Sequence, residues 1–269
     1  MLVLRGPSRG HGDPELEGWR AMRAVIVGAS SGLGRCIGVG LSQRGTHVAL
    51  LARRRERLEA AAAEAGPNGV PIECDVTDEG SVATAIGKAA AELGGIDALV
   101  YTPAVGPLAR LVDTEADTWR QVFDTNVVGA AVVTAAALPY LNASTGMAIY
   151  LSSVSASQTA PWPGLGAYAV SKAALDKLVD AWRTEHPNIG FTLCVVGDCA
   201  GGEGDSLTGF ADNWDLNLMA ELHPIWSGKG LLAGSLLDVE HLVNAIDSVL
   251  RAGPTVSTPT IVVAPRPPA

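Results

Sequence analysis

The sequence predicts one α/β domain: a doubly wound, mainly parallel sheet of about seven strands flanked by helices. Three observations point there. Short apolar runs of strand length alternate with longer helical patterns along most of the 269 residues. The first run leads through a glycine-rich turn into a helix, as close backbone approach to a phosphate requires. Composition is 48% hydrophobic but only 5% aromatic, so the core is built from Ala, Val, Leu and Ile.

Residues 1–21 are rich in Gly, Pro and charge and lack the apolar core of a signal peptide, so they read as a disordered extension. Met22 directly precedes the first strand and is an alternative start. The domain spans residues 22–265. Arg23 to Val27 (RAVIV) is the first strand. Gly28-Ala-Ser30-Ser31-Gly32-Leu33-Gly34 follows and opens a helix running to about Arg44. Its G-x-x-x-G-x-G spacing differs from the commoner G-x-G-x-x-G, but the strand–turn–helix context is the one the mechanism needs.

Thr46 to Leu51 is the second strand, ending at Arg53-Arg54-Arg55. An acidic residue there would suit the ribose hydroxyls of NAD. Arginine instead offers a fork of donors to a 2′-phosphate. Cations at a helix start also oppose the macrodipole unless an anion is near. NADP(H) is therefore favoured, with NAD(H) the alternative.

Glu56 to Ala65 is an Ala-rich helix, and Val70 to Cys74 a third strand ending at Asp75-Val76. Asp75 suits either an adenine amino group or a helix cap. Glu79 to Leu93 is a helix, Ile96 to Tyr101 a strand, and Thr102-Pro103-Ala104-Val105-Gly106 the loop after it. Asp117 to about Leu141 reads as one long helix containing Asn126. From Thr125 to Ser171 there are 47 consecutive residues without Asp, Glu, Lys, Arg or His. A surface helix normally carries charge on its outer face, so this one is expected to be covered by the sheet and by a second subunit.

Met147 to Leu151 is a strand ending in hydroxyls, and Tyr168 opens a helix running to about His186. Tyr168 and Lys172, four apart, share a helix face. An ammonium beside a phenol is expected to lower the phenol's pKa from about 10 and fit it for proton transfer. Such a pair on a helix is common and gains meaning only from the motifs upstream. Gly190 to Val196 is the next strand. From 197 to 236 no period is clear, which suggests a substrate-binding loop. Its Trp214, Met219 and Trp226 either line an apolar pocket or pack beneath the loop. Asp238 to Ala252 is a helix, Thr258 to Val263 the last strand, and PRPPA a disordered end.

The net charge of −9 argues against a nucleic-acid surface. No uninterrupted apolar run reaches membrane-spanning length. The cysteines at 36, 74, 194 and 199 lack metal-site pairing and read as buried thiols of a reducing, cytoplasmic compartment.

Together these residues resemble the short-chain dehydrogenase/reductase family, over about Arg23 to Ala264. The resemblance implies a Rossmann-type sheet, a homodimer or homotetramer joined through the helices of Asn126 and Tyr168, and a small carbonyl or alcohol substrate, which the apolar aromatics of the 197–236 segment suggest is hydrophobic. It implies that Tyr168 is the general acid and that Lys172 tunes it and holds the nicotinamide ribose. A serine orients the carbonyl, and Asn126 holds a water leading from Lys172 to solvent. Residues 28 and 30–34, with Arg53, Arg54, Asp75, Val76 and Thr102-Pro103-Ala104, are then expected to bind the dinucleotide, together with Tyr168 and Lys172.

Departures from the family pattern are Val27 in place of threonine, Tyr101-Thr102-Pro103-Ala104 in place of Asn-Asn-Ala-Gly, and Val196-Gly197 in place of Pro-Gly. Ser153 matches the strand end and Ser155, 13 residues before Tyr168, matches the usual spacing; Ser153 is preferred and Ser155 stays open. Two other functions fit the same residues: a nucleotide-binding sensor or scaffold without turnover, and an epimerase or dehydratase using the same tyrosine.

Overall fold

The computed structural model describes residues 21–266. The disorder expected at the two chain ends falls almost wholly outside that range. Seven parallel strands form one sheet in the order β3-β2-β1-β4-β5-β6-β7. They are β1 (Arg23–Val27), β2 (His47–Ala52), β3 (Gly69–Glu73), β4 (Ala98–Tyr101), β5 (Met147–Ser153), β6 (Gly190–Val196) and β7 (Thr260–Val263). Strands buried on both faces read as unbroken apolar runs, which is why most were visible in the sequence. Each fully buried Val, Ile or Leu is worth about 1.5–3 kcal/mol.

One face of the sheet, with Ile26, Leu50 and Ile149, is covered by α1 (Gly32–Gln43), α2 (Arg55–Ala65) and α9 (Val239–Leu250). The other, with Val25, Leu99 and Tyr150, is covered by α3 (Glu79–Leu93), α5 (Gly129–Ser144) and α7 (Gly166–Glu185). Chain order reverses at β1, between β2 and β4. At the carboxyl end of this seam Val27 is in register with Leu51 of β2 and with Tyr101 of β4. Arg23, itself buried, fixes the opposite end of this seam through Asp97, which it reaches from both its backbone N–H and its guanidinium (Nε–Oδ2 2.8 Å).

Three expectations change. The long helix spans Ala116–Ser144, but a π-helical turn at Asp124–Val128 separates α4 (Ala116–Phe123) from α5. By length and composition this 29-residue helix is apolar enough to cross a membrane. Here its Ala130, Val133, Ala137 and Leu141 pack in the core. The 197–236 segment is not wholly irregular: it holds α8 (Leu216–Gly228), N-capped by Asp215, with Pro224 inside it. The fifth strand runs on to Ser153 and is followed directly by the single turn α6 (Val154–Ser157).

Candidate active site

A cavity of about 600 Å³ opens at the carboxyl ends of the strands. One end is the turn between β1 and α1. Gly28 (φ +86°) and Gly32 (φ +57°) take conformations that favour glycine. A Cβ on Gly34 would lie 2.4 Å from both the Gly28 carbonyl and the Thr102 hydroxyl, so the turn is closed to any side chain. Thr102 also answers the missing threonine at Val27. Its hydroxyl donates to the Val27 carbonyl at 2.7 Å and its backbone N–H reaches the same oxygen at 3.1 Å. The hydroxyl is supplied from the loop after β4 instead of from β1.

Beside this turn, Arg54 donates to Ser30 Oγ at 3.1 Å and to Ser31 Oγ, while Arg53 lines the cavity. Arg55 turns away and pairs with Glu59. The first turn of α1 holds no acidic side chain. A glycine cradle, two hydroxyls, two guanidiniums and a helix N-terminus make a seat for phosphates. A nicotinamide dinucleotide fits these residues.

The other end joins β5 to α7. Ser153 ends its strand beside Tyr168, where its hydroxyl works to lower the phenol's pKa. Ser155 lies behind, its hydroxyl 2.9 Å from that of Ser153 and its N–H donating to it. Lys172 is buried. Its Nζ lies 5.8 Å from the Tyr168 ring centre and donates to the Leu151 carbonyl at 2.7 Å. The expected lowering of the phenol is not found. Burial outweighs everything else, pushing Tyr168 up to about 12 and Lys172 down to about 8.

Asn126 is fully buried, but its side chain is spent on protein partners. It accepts from the Val105 N–H (2.8 Å) and donates to the Val105 carbonyl and to Ser171 Oγ (both 2.9 Å). Tyr101 also lies outside the cavity lining. Its hydroxyl donates to the Thr125 carbonyl at 2.6 Å, inside the π-helical turn that places Asn126. Asp75 and Val76 do not reach the cavity either. The Asp75 carboxylate accepts from the Thr77 N–H and hydroxyl, and the cap of α3 is Asp78.

Several lining residues were not singled out from sequence. Trp162 and Leu165 come from the loop before α7, and Thr208 and Phe210 from the segment after β6. Phe210 packs edge-on against Tyr168 with ring centres 4.9 Å apart, and Trp214 donates to the Gly106 carbonyl at 2.8 Å. Trp214 therefore lines the cavity and Trp226 packs beneath it, donating to the Pro163 carbonyl. Cys74 and Cys194 are buried, with thiols pushed up to about 11 and about 12.

Comparison with known proteins adds a family. A family model described as short chain dehydrogenase matches residues 22–201. An uncharacterized oxidoreductase of Myxococcus xanthus is 31% identical over 217 residues, 78% of this chain and 84% of that protein. The glycine betaine reductase ATRR of Emericella nidulans is 30% identical over 247 residues, 90% of this chain; the chain spans only 18% of that protein's length. Among solved structures, an alcohol dehydrogenase of Thermococcus sibiricus complexed with 5-hydroxy-NADP has a TM-score of 0.75 at 23% identity, over 91% of this chain and 96% of that one, a likeness of fold. On the family model and the Myxococcus relative, the chain belongs to the short-chain dehydrogenase family.

Proposed function

We propose that the protein is an NADP(H)-dependent oxidoreductase interconverting a carbonyl and a secondary alcohol. The observation that carries this reading is that Ser153, Tyr168 and buried Lys172 line one cavity with the glycine turn and Arg53/Arg54, the Lys172 Nζ lying 5.8 Å from the Tyr168 ring centre. The dinucleotide, when bound, supplies or accepts the hydride. Gly28 to Gly34 let the chain come close to its pyrophosphate, and Arg53 and Arg54 hold the 2′-phosphate.

In reduction, the Ser153 hydroxyl holds the carbonyl oxygen and the Tyr168 hydroxyl gives it a proton. The raised phenol pKa keeps that proton in place at neutral pH. The Lys172 ammonium then offsets the charge left on the phenolate oxygen. Oxidation runs the same steps backwards. Trp162, Leu165, Phe210 and Trp214 give the substrate end an apolar wall, which favours a hydrophobic carbonyl.

A panel of aldehydes and ketones, followed by loss of NADPH absorbance, tests the reading. Turnover of at least one is expected. Tight dinucleotide binding without turnover of any would favour the sensor reading. The protein is further proposed to act as a homodimer or homotetramer.

A further inference from the structure

Lys172 is 2% exposed. An ammonium taken out of water requires a partner of opposite charge. Its hydrogen-bond acceptor, the Leu151 carbonyl, is neutral. One turn further along α7, on the same face, is half-buried Asp176. Ser152 and Ser153 are neighbours on β5, so their side chains leave opposite faces of the strand. Ser153 turns to the Tyr168 phenol, and Ser152 donates its hydroxyl to Asp176 Oδ1.

The other groups around the ammonium do not take this role. Tyr168 is a neutral phenol. Asn126 reaches α7 through Ser171 and carries no charge. Asp180, a further turn away, is held by Lys177 and Arg183 at 2.9 and 2.8 Å.

We propose that Asp176, fixed by Ser152, is the counter-ion that keeps buried Lys172 protonated, and so is a positioning residue for proton transfer at Tyr168. The consequence for catalysis rests on the function proposed above; the charge pairing does not. Asp176 lies outside the cavity lining and acts through Lys172 alone. Burial drives Lys172 down, and the Asp176 charge pulls it back up. Burial drives Asp176 up, while the Ser152 hydrogen bond and the Lys172 charge pull it down.

The chain has four lysines, Lys88, Lys172, Lys177 and Lys229, so a lysine-specific ¹³C label gives four signals that can be titrated by NMR. Loss of one signal in Lys172→Arg assigns Lys172. In the full chain, without added dinucleotide, Asp176→Asn is expected to lower the Lys172 midpoint by about one pH unit, as an attraction between partly buried unit charges implies. Asp176→Glu should restore most of it, Ser152→Ala should lower it by less, and Lys88 and Lys229 should not move. On a turned-over carbonyl, the alkaline limb of the rate profile should shift by the same amount. An unchanged Lys172 midpoint in Asp176→Asn overturns the inference; should that variant not fold, an unchanged midpoint in Ser152→Ala does so. If the midpoint moves while Tyr168→Phe keeps full activity, the pairing stands and the proposed function falls.

Discussion

Asn126 grips Val105 by both of its backbone polar groups, accepting from the N–H at 2.8 Å and donating to the carbonyl at 2.9 Å. A buried side-chain amide thus takes the place of a neighbouring strand and ties the loop after β4 to α7. Asn126→Ala leaves those groups unpaired, and each unmet buried group costs about 1–3 kcal/mol. Chemical denaturation should show a loss in that range, with weaker dinucleotide binding because Thr102 to Val105 line the cavity. A variant as stable as the parent would mean that the loop holds itself.

Tyr168→Phe keeps the ring packing on Phe210 and removes the proton donor. Folding and dinucleotide binding should survive, while turnover falls by about 10²–10⁴-fold. Ser153→Ala should slow turnover strongly and Ser155→Ala mildly, since Ser153 is the serine whose hydroxyl acts on the phenol, and Ser155 reaches it only through Ser153. The reverse ranking would pass the role to Ser155.

Reduction should be steady at neutral pH and decline as pH rises through about 8, where Lys172 loses its proton. The Tyr168 phenol, pushed up to about 12, keeps its own proton across that window. A rate that holds to pH 10 would show that the ammonium is not needed for the step.

NADPH should bind more tightly than NADH. Arg54→Ala, or Arg53→Asp, should narrow the gap, each lost charge-assisted contact costing about 1.5–3 kcal/mol, or roughly 10–100-fold. Calorimetric titration with both dinucleotides measures it. Equal affinities in the unmutated chain would dispose of the arginine argument.

Val128, Ala135 and Pro139 form an outward stripe on the long helix, and Val170 and Ala173 a second patch on α7. Such a small, uncharged surface suits close helix packing. Sedimentation should give a dimer or tetramer, and Ala135→Asp should shift it toward monomer. A monomeric parent at micromolar concentration would leave this face to some other cover.

The sheet was legible because buried parallel strands are unbroken apolar runs, and the glycine turn because its geometry tolerates few alternatives. Residues fixed by local chemistry, such as Gly34, Ser153 and Lys172, could be named from sequence. The π-helical turn could not, since Asp124 to Val128 carry no signal for it; the Thr125 carbonyl within it is met by a side chain distant in sequence, the Tyr101 hydroxyl. Pro224 hid α8. Asp75 has the right position at a strand end but is captured by Thr77, two residues on. The phenol's direction of shift was misjudged because a helical spacing tells which charge is near, not how dry the site is.

The reversal of strand order at β1 divides the cavity into two workshops. Arg53, Arg54 and the glycine turn lie within the first 54 residues, whereas Ser153, Tyr168 and Lys172 lie a hundred residues later, on the far side of the seam. Thr102 is the stitch between them, bonded to Val27 from the first strand beyond the reversal. An engineer can therefore exchange the corner between β2 and α2 to change the coenzyme, or recast the loop around Trp162 to change the substrate, whereas the segment of Phe210 serves both halves, since its Thr208 lies against Gly32.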